Sequence, residues 1–393
     1  TLSGTDPFFE PVAYGGVFSI AGSGQTLQNG LFDTNDAGIG VPVTGSDLSG
    51  TLSLPDSFGR GTITDSALNY DVLEGLPSPV SLNYYIVGPE VIRIIDVDLT
   101  DSAIGSAYGQ GTNSTGASNA SLGSSIFGVA GNSLSSQYGA AGMFTTSSSS
   151  ALFSGVGDDN EEIFGFSVPD APIGGNYSIA NSGYGNLTIA PGDLGDVSAF
   201  GLYMTDPNLN LLDPNNTTGG VGGALLLDMD SLFAGGTGIV IPQTDTSSSD
   251  FTGDYAFGGQ DQNYLIGSAD EFDFVGMATV TSGAFSGSAL VSDPFLSLGA
   301  TTPTDSGVKF TSTPQADPIN AGRYTMLSTN STPNPLVVKV KGAPTQHLNV
   351  VMYQASGGQL LWLDEDVLST FLGPLEQFGL FTSVPSARSA VKP

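Results

Sequence analysis

The sequence predicts an all-β protein built from three tandem antiparallel domains. Its 55 glycines and 23 prolines interrupt short runs of Val, Ile, Leu, Tyr and Phe, and the Ala/Glu/Lys/Leu stretches that favour long helices are missing. Strand-like runs recur about every 8 to 12 residues, which is typical of β-sandwiches and β-barrels. An ordered set of short motifs also occurs three times along the chain, which predicts three domains.

Each copy of the motif set opens with a strand, at Phe18, Phe127 and Tyr255. The spacings of 109 and 128 residues correspond to whole domains, because solenoid repeats are much shorter. An acidic or amide cluster follows each opening strand, then a tyrosine-containing strand and an Asp-x-Asp ending. The clusters are Asp33–Asp36, Asp158–Asn160 and, in weaker form, Ser292-Asp293, and the tyrosines include Tyr84, Tyr203 and Tyr353.

The motif order sets the expected domain boundaries. We expect β-domains at residues 15–110, 123–243 and 251–378, polar linkers at 111–122 and 244–250, and extended terminal segments at 1–14 and 379–393. Short connections predict antiparallel pairing, since parallel strands need long crossovers. A meander that closes into a small up-and-down β-barrel of about eight strands is favoured. A β-sandwich is the alternative, although the cysteines of immunoglobulin domains are absent.

The charge balance excludes several partners. The chain has 38 acidic and 8 basic side chains, a net charge of −30, and neither Lys nor Arg between Arg93 and Lys309. Nucleic acids and anionic membrane surfaces need a cationic footprint that this chain lacks. No apolar stretch reaches the roughly 20 residues of a membrane span. The neutral polar composition and the start at Thr1 lead us to expect a secreted protein from which a signal segment has been removed.

Catalytic motifs are missing from the sequence. His347 is the single histidine, there is no cysteine, and no Gly-x-Ser-x-Gly elbow is present. Zinc, copper and iron sites usually need several of these ligands. The sequence therefore predicts a non-enzymatic protein without a cofactor.

Paired carboxylates are the one candidate for metal binding. Each copy ends with two aspartates spaced two residues apart, which point to the same side of a strand. Together with loop carbonyls such a pair could bind Ca²⁺. The alternative is that these acids cap strand ends by accepting backbone hydrogen bonds. The pairs are Asp96 and Asp98, Asp228 and Asp230, and Asp364 and Asp366.

The terminal segments carry apolar side chains that could anchor a neighbouring subunit. Strand addition or groove filling by such a segment would produce a homopolymer. The alternative is that each segment packs on its own domain. The candidate anchors are Phe8, Phe9, Val12 and Tyr14 at one end, and Phe378, Leu380 and Phe381 at the other.

Several motifs resemble the repeating unit of large secreted β-repeat proteins of environmental bacteria such as Acidobacteria. They are Gly59-Arg-Gly-Thr62, Tyr84-Tyr85-Ile-Val-Gly-Pro-Glu90 and Ile94-Ile-Asp-Val-Asp98, followed by Gly105 and Gln110. The similarity is clearest over residues 49–110 and weakens in the later copies. The resemblance implies an exported, repetitive and surface-associated protein.

Together these observations predict a secreted structural protein, a subunit of an extracellular filament or surface layer assembled through its terminal segments. The alternative is an adhesin module that binds a glycan or another surface polymer, with or without Ca²⁺. That alternative predicts an open groove lined by side chains such as Tyr84, Tyr203 and Tyr353.

Overall fold

The computed structural model describes two closed eight-stranded antiparallel barrels followed by an eleven-stranded sheet. The all-β, antiparallel prediction is confirmed, and the first two domains are barrels rather than sandwiches. The description covers residues 1–393 except 7–9, 22–24, 38–40, 70–78, 98–101, 133–136, 162–165, 196, 212–219, 232–233, 264–269, 293–303, 340–344, 357, 367–377 and 384–393.

Barrel 1 is an eight-stranded meander that closes on itself. Its first strand pairs with both the second and the eighth, so no edge is left open. Side chains alternate between the interior and the solvent: Ile92 and Ile94 face the interior, and Arg93 and Ile95 are exposed. The strands are β1 (Leu2–Thr5), β2 (Pro11–Ala21), β3 (Thr26–Asp36), β4 (Val43–Leu52), β5 (Arg60–Asn69), β6 (Pro79–Gly88), β7 (Val91–Asp96) and β8 (Ser102–Tyr108).

Barrel 2 has the same strand order and closes between its first and last strands. Its interior is packed with large side chains, among them Phe127, Phe144, Phe153, Tyr177 and Phe200. The strands are β9 (Ser125–Asn132), β10 (Gln137–Ser147), β11 (Leu152–Glu161), β12 (Phe166–Ile179), β13 (Tyr184–Ile189), β14 (Ala199–Met204), β15 (Ala224–Asp228) and β16 (Ala234–Pro242).

The third domain is an eleven-stranded sheet with β17 in the middle. Its strands are β17 (Gly253–Asn263), β18 (Asp270–Thr281), β19 (Ala284–Ser292), β20 (Thr304–Ser312), β21 (Gln315–Ala316), β22 (Arg323–Met326), β23 (Leu336–Lys339), β24 (Gln346–Leu348), β25 (Val350–Ser356), β26 (Gln359–Asp364) and β27 (Phe378–Ser383). One core joins both halves of the sheet and includes Phe257, Phe285, Phe310, Tyr324 and Trp362. His347 lies exposed on β24.

The expected N-terminal segment 1–14 is part of barrel 1, so the boundary at residue 15 is wrong. β1 and the start of β2 pair with each other, and β1 also pairs with β8. Val12 and Tyr14 are buried in the same barrel beside Ala103. Their apolar side chains therefore fill their own domain, while Phe8 and Phe9 lie outside the described residues.

The boundary predicted between residues 378 and 379 is also wrong, because β27 crosses it. This strand pairs on one edge with β26 and on the other with β17. Phe378, Leu380 and Phe381 all lie on β27. Both edges of the strand are used within the third domain, so its backbone is not available for adding to another subunit.

The linker at residues 111–122 closes one end of barrel 2. It contains a helical turn, α1 (Asn113–Gly116), and a 3-10 turn at Asn119–Ser121. The Asn113 amide donates to the Thr205 carbonyl over 2.6 Å, and Tyr177 donates to the Asn119 carbonyl over 3.0 Å. Ala117 and Leu122 are buried in the barrel 2 core. The segment is therefore an end plug and not a loose joint.

The segment at residues 244–250 is held on the third domain in a related way. The backbone amide of Thr244 donates to the Ala355 carbonyl over 2.7 Å, and Phe251 just beyond the segment is buried in the domain core. A glutamine precedes each linker: Gln110 donates to the Met204 carbonyl over 3.2 Å and Gln243 to the Gln354 carbonyl over 2.8 Å. Both linkers are thus fixed to the domain that follows them.

Candidate functional site

The first junction is the contact between the outer face of barrel 1 and the outer face of barrel 2. Ala13 and Val17 on β2 pack against Tyr203, Leu225 and Leu227 on β14 and β15. Gly15 lies between the first two residues, and a Cβ there would come within 2.4 Å of the Tyr203 ring. Only glycine permits this approach of strand and ring.

A buried carboxylate lies at the centre of the first junction. Asp33 on β3 is 1% exposed and accepts hydrogen bonds of 2.7 Å from the hydroxyls of Tyr184 and Tyr203. Asn35 lies two residues further along β3, on the same face as Asp33. Its side-chain amide donates to the backbone carbonyls of Asp228 and Asp230, each over 2.9 Å. Barrel 1 therefore contributes one acid and one amide that both bind barrel 2.

The second junction joins barrel 2 to the third domain. Its apolar part is a single buried cluster with members from both domains. Barrel 2 contributes Ile126, Ala141, Val156 and Ile241, and the third domain contributes Val351, Tyr353, Ala355, Leu361 and Leu363. The mixed cluster shows that this contact excludes water as a domain core does.

The second junction also centres on a buried acid. Asp158 on β11 accepts hydrogen bonds from Arg323, at 3.1 Å from Nε and 2.6 Å from Nη2, and from the Tyr353 hydroxyl. The Asn160 amide donates to the Asp364 carbonyl over 2.9 Å and to the Asp366 carbonyl over 3.5 Å. The acid and the amide are again two residues apart on one strand face.

The two junctions use corresponding positions. In barrel 2, Tyr184 opens β13 opposite Tyr203 on β14. In the third domain, Arg323 opens β22 opposite Tyr353 on β25. Glycines with positive φ precede both openings, at 77° for Gly183 and 95° for Gly322. The main chemical difference is that barrel 2 has the neutral Tyr184 at the position where the third domain has the cationic Arg323.

Burial changes the proton affinity of several groups at the second junction. Burial, together with the nearby Asp158, raises the pKa of Glu365 to about 9. Glu365 lies 3.8 Å from Arg323, and its raised pKa weakens the ion pair between them at neutral pH. Arg323 is instead balanced by Asp158 and by Asp317, whose carboxylate is 3.0 Å away.

The paired aspartates of barrel 2 organise the end of β15. The backbone amide of Asp230 donates to Asp228 over 2.8 Å. Asp230 accepts from the backbone amide and hydroxyl of Ser198, both over 2.6 Å, and from the Ala199 amide over 3.0 Å. Asp228 is buried and accepts from the Tyr138 hydroxyl, and its burial raises its pKa. These contacts match the strand-capping alternative and leave the described oxygens occupied by donors.

Asp364 and Asp366 repeat that arrangement. The Asp366 amide donates to Asp364 over 2.8 Å, and Asp366 accepts from the backbone and side-chain nitrogens of Asn349. Asp96 is buried in barrel 1, while Asp98 lies outside the described residues. Within the described part of the chain these aspartates form no three-ligand group, so the proposed calcium geometry is not found there.

A different group of acids does converge. Asp6, Glu10 and Asp36 place carboxylate oxygens within 4.8 Å of one another at one end of barrel 1. Asp6 already accepts the Glu10 backbone amide over 2.7 Å. These residues are not recognisable as a group in the sequence, because the ends of β1, β2 and β3 bring them together.

The residues at the centres of the junctions were not predicted as functional. In the sequence, Asp33–Asp36 and Asp158–Asn160 are visible only as recurring motifs without an assigned role. The signal was present in the recurrence of an acid and an amide two residues apart. Arg323 was a second signal, because cations are rare in this chain.

Two faces that correspond to the junction faces are exposed. On barrel 1, Arg60 opens β5 opposite Tyr85, and Tyr85, Ile95 and Val97 are 39–45% exposed. We call these residues the barrel 1 free face. On the second and third strands of the last domain, Val275, Met277 and Leu290 are 49–60% exposed. We call these three the third-domain free face.

Comparisons with known proteins give little further information. No protein-family model matches the chain, and no curated protein matches it. A crystal structure of a protein of unknown function from the DUF3598 family of Nostoc punctiforme is similar at 12% identity, covering 66% of this chain and 94% of that one, with a TM-score of 0.19. A likeness this remote carries nothing about function. Among the described residues, no helix has the length and apolar character needed to cross a bilayer.

Proposed function

We propose that this chain is a secreted, non-enzymatic structural protein made of three copies of one β-domain and that it polymerises head to tail through its domain faces. The observation that carries the proposal is the occurrence of corresponding contacts at both internal junctions, centred on Asp33 and Asp158. A contact that joins copy one to copy two and copy two to copy three can also join one chain to the next.

The geometry of the junctions favours an open polymer. At each junction the strand carrying the acid and amide belongs to the earlier domain, and the tyrosine strand belongs to the later one. Such a contact is heterologous, and a heterologous contact that does not close a ring produces a filament. This differs from the strand-addition route, because the tail residues described here are used inside their own domains.

The exposed side chains support the same proposal. The barrel 1 free face corresponds to the tyrosine side of a junction, and the third-domain free face lies on strands equivalent in order to β10 and β11. Contiguous exposed apolar side chains commonly mark an interaction site. A glycan groove lined by Tyr84, Tyr203 and Tyr353 is less well supported, since all three side chains are buried.

The test compares assembly of the purified chain with that of two face variants. Sedimentation velocity and negative-stain imaging over a concentration series should show filaments of end-to-end chains. The double variants Tyr85→Ser/Ile95→Ser and Val275→Ser/Met277→Ser should each remain monomeric. The matched control is Leu152→Ser, an equally exposed apolar position on barrel 2 outside both free faces.

Mixing the two face variants adds a second readout. Each retains one intact face, so a mixture should form dimers through the two unchanged faces but no longer species. Salt should promote assembly of the unmodified chain, because a net charge of −30 repels neighbouring subunits. A chain that stays monomeric at every concentration and salt level, or polymers unaffected by both double variants, would contradict the proposal.

A further inference from the structure

A cavity of about 580 Å³ extends from the interior of barrel 1 to the first junction, where Ser114, Met204 and Leu225 also line it. Its walls are apolar side chains that point inward from β3 to β7, namely Leu27, Leu48, Ile63, Leu82, Ile92 and Ile94. Ile20 and Ile86, which are half exposed, lie at the mouth. An eight-stranded barrel has room either for packed side chains or for one small ligand. This volume is within the usual range of ligand pockets.

Barrel 2 shows how the same space is filled when no ligand is needed. In the strand register, Phe200 lies opposite Asp228 in barrel 2, and Leu82 lies opposite Asp96 in barrel 1. Leu82 therefore occupies the position at which barrel 2 has a phenylalanine. The end of barrel 2 near Met204 is closed by the 111–122 plug with Ala117 and Leu122. At the corresponding end of barrel 1, near Ile86, the cavity is bordered by Ser114 of that segment and by Met204 and Thr205 of barrel 2, and it remains unfilled.

The polar groups at the mouth select the chemistry of a ligand. Glu90 lines the cavity, and its Oε2 atom is buried without a hydrogen-bond donor. Burial and the nearby Asp206 raise the pKa of Glu90. Among the described residues, no Lys or Arg side chain lines the cavity. A ligand carboxylate beside Glu90 would be repelled by it, whereas a hydroxyl or an amine would donate a hydrogen bond to it.

We propose that barrel 1 is a binding site for one elongated apolar molecule with a hydroxyl or amine head group. The apolar part lies along the inward-facing side chains of β3 to β7. The head lies at the mouth and donates a hydrogen bond to Glu90. This role is independent of polymerisation, because the described cavity lining includes no residue of either free face.

The test uses the full chain and the neutral fluorescent probe N-phenyl-1-naphthylamine. The probe should bind with one site per chain and be displaced by decanol and decylamine. Decanoate should compete about tenfold less well, since a lost hydrogen bond to a charged group costs about 1.5 kcal/mol or more and tenfold corresponds to 1.4 kcal/mol. Absence of saturable binding would overturn the proposal.

Two variants locate the site. Leu82→Phe copies barrel 2 and should abolish probe binding, whereas Ile104→Phe, at a position 66% exposed on the same barrel, should not. Thermal melts show whether each variant is folded. Glu90→Gln leaves the cavity intact and should reduce the preference for decylamine over decanoate at least several-fold. Probe binding that survives Leu82→Phe in a folded protein, or an unchanged preference in Glu90→Gln, would also overturn the proposal.

Discussion

Removing the carboxylate of Asp158 tests the second junction most directly. In Asp158→Asn, the buried guanidinium of Arg323 loses the partner that contacts it at 2.6 and 3.1 Å. Breaking a buried ion pair from one side typically costs about 3–5 kcal/mol. We expect about 3 kcal/mol, the lower end, because Asp317 remains 3.0 Å from the same guanidinium.

The assay is calorimetric unfolding, with the transition of the third domain followed separately. A loss of about 3 kcal/mol lowers the Tm of a domain of this size by roughly 10 °C. The matched control is Asp33→Asn at the first junction. The partners of Asp33 are all neutral, namely two tyrosine hydroxyls and the Gly45 backbone amide, so about 1 kcal/mol is expected there.

A double variant separates the charge effect from the loss of packing. Asp158→Asn/Arg323→Met removes both charges, and it should be more stable than Asp158→Asn alone by about 1–2 kcal/mol. If Asp158→Asn costs no more than Asp33→Asn, or if the double variant is less stable than the single one, the buried ion pair does not hold the two domains together.

Three further predictions concern pH, the paired aspartates and the first junction. Glu365 has an ordinary pKa of 4.5 when unfolded and about 9 when folded, so its contribution to stability is complete below pH 4.5 and is lost as pH rises towards 9. Tm should fall from pH 5 to 8, because this group lowers the free energy of unfolding by up to about 1.4 kcal/mol per pH unit. Glu365→Gln should reduce the slope of Tm against pH, whereas Asp56→Asn, a change at an exposed position, should not. Asp230→Ala removes three hydrogen bonds and should destabilise barrel 2 by about 2 kcal/mol in denaturant melts, and neither Ca²⁺ nor a chelator should change the Tm of the unmodified chain; a chelator-induced drop would restore the calcium interpretation. Gly15→Val should weaken docking of barrel 1 on barrel 2 by about 2 kcal/mol, seen as faster proteolysis between the barrels, whereas Gly174→Val, with a Cβ neighbour at 3.6 Å, should not.

The sequence was sufficient for the fold class because strand pattern and turn residues are local signals. The alternation around Ile92 and Ile94, and the glycines that begin strands, are visible without tertiary structure. Domain boundaries are harder to predict from the sequence, because β1 is recognisable as a strand only through its pairing with β8. A four-residue strand preceding Phe8 and Phe9 resembles a tail in sequence.

The junctions could be predicted only in part. The spacing of Asp33 and Asn35, and of Asp158 and Asn160, placed each acid and amide on one strand face. Their partners come from up to 206 residues away, as in the contact between Asn160 and Asp366. A single sequence does not show which faces meet, so the paired aspartates suggest strand caps or metal ligands. The structure adds that the backbone carbonyls of the second and third pairs accept hydrogen bonds from Asn35 and Asn160 of the preceding domain.

The distribution of charge explains why so acidic a chain can use carboxylates as its central contacts. Between Arg93 and Lys309 no cation is present, and the acids of barrel 2 therefore obtain their hydrogen bonds from tyrosines, amides and a cation beyond that stretch, Arg323. Burial raises the pKa of Asp228, Glu365 and Asp366. These groups bind protons more tightly when folded than when unfolded, so acidification stabilises the fold through them. It also lowers the net negative charge that keeps neighbouring chains apart. The same change in pH thus favours both the folded domains and the contacts proposed between chains.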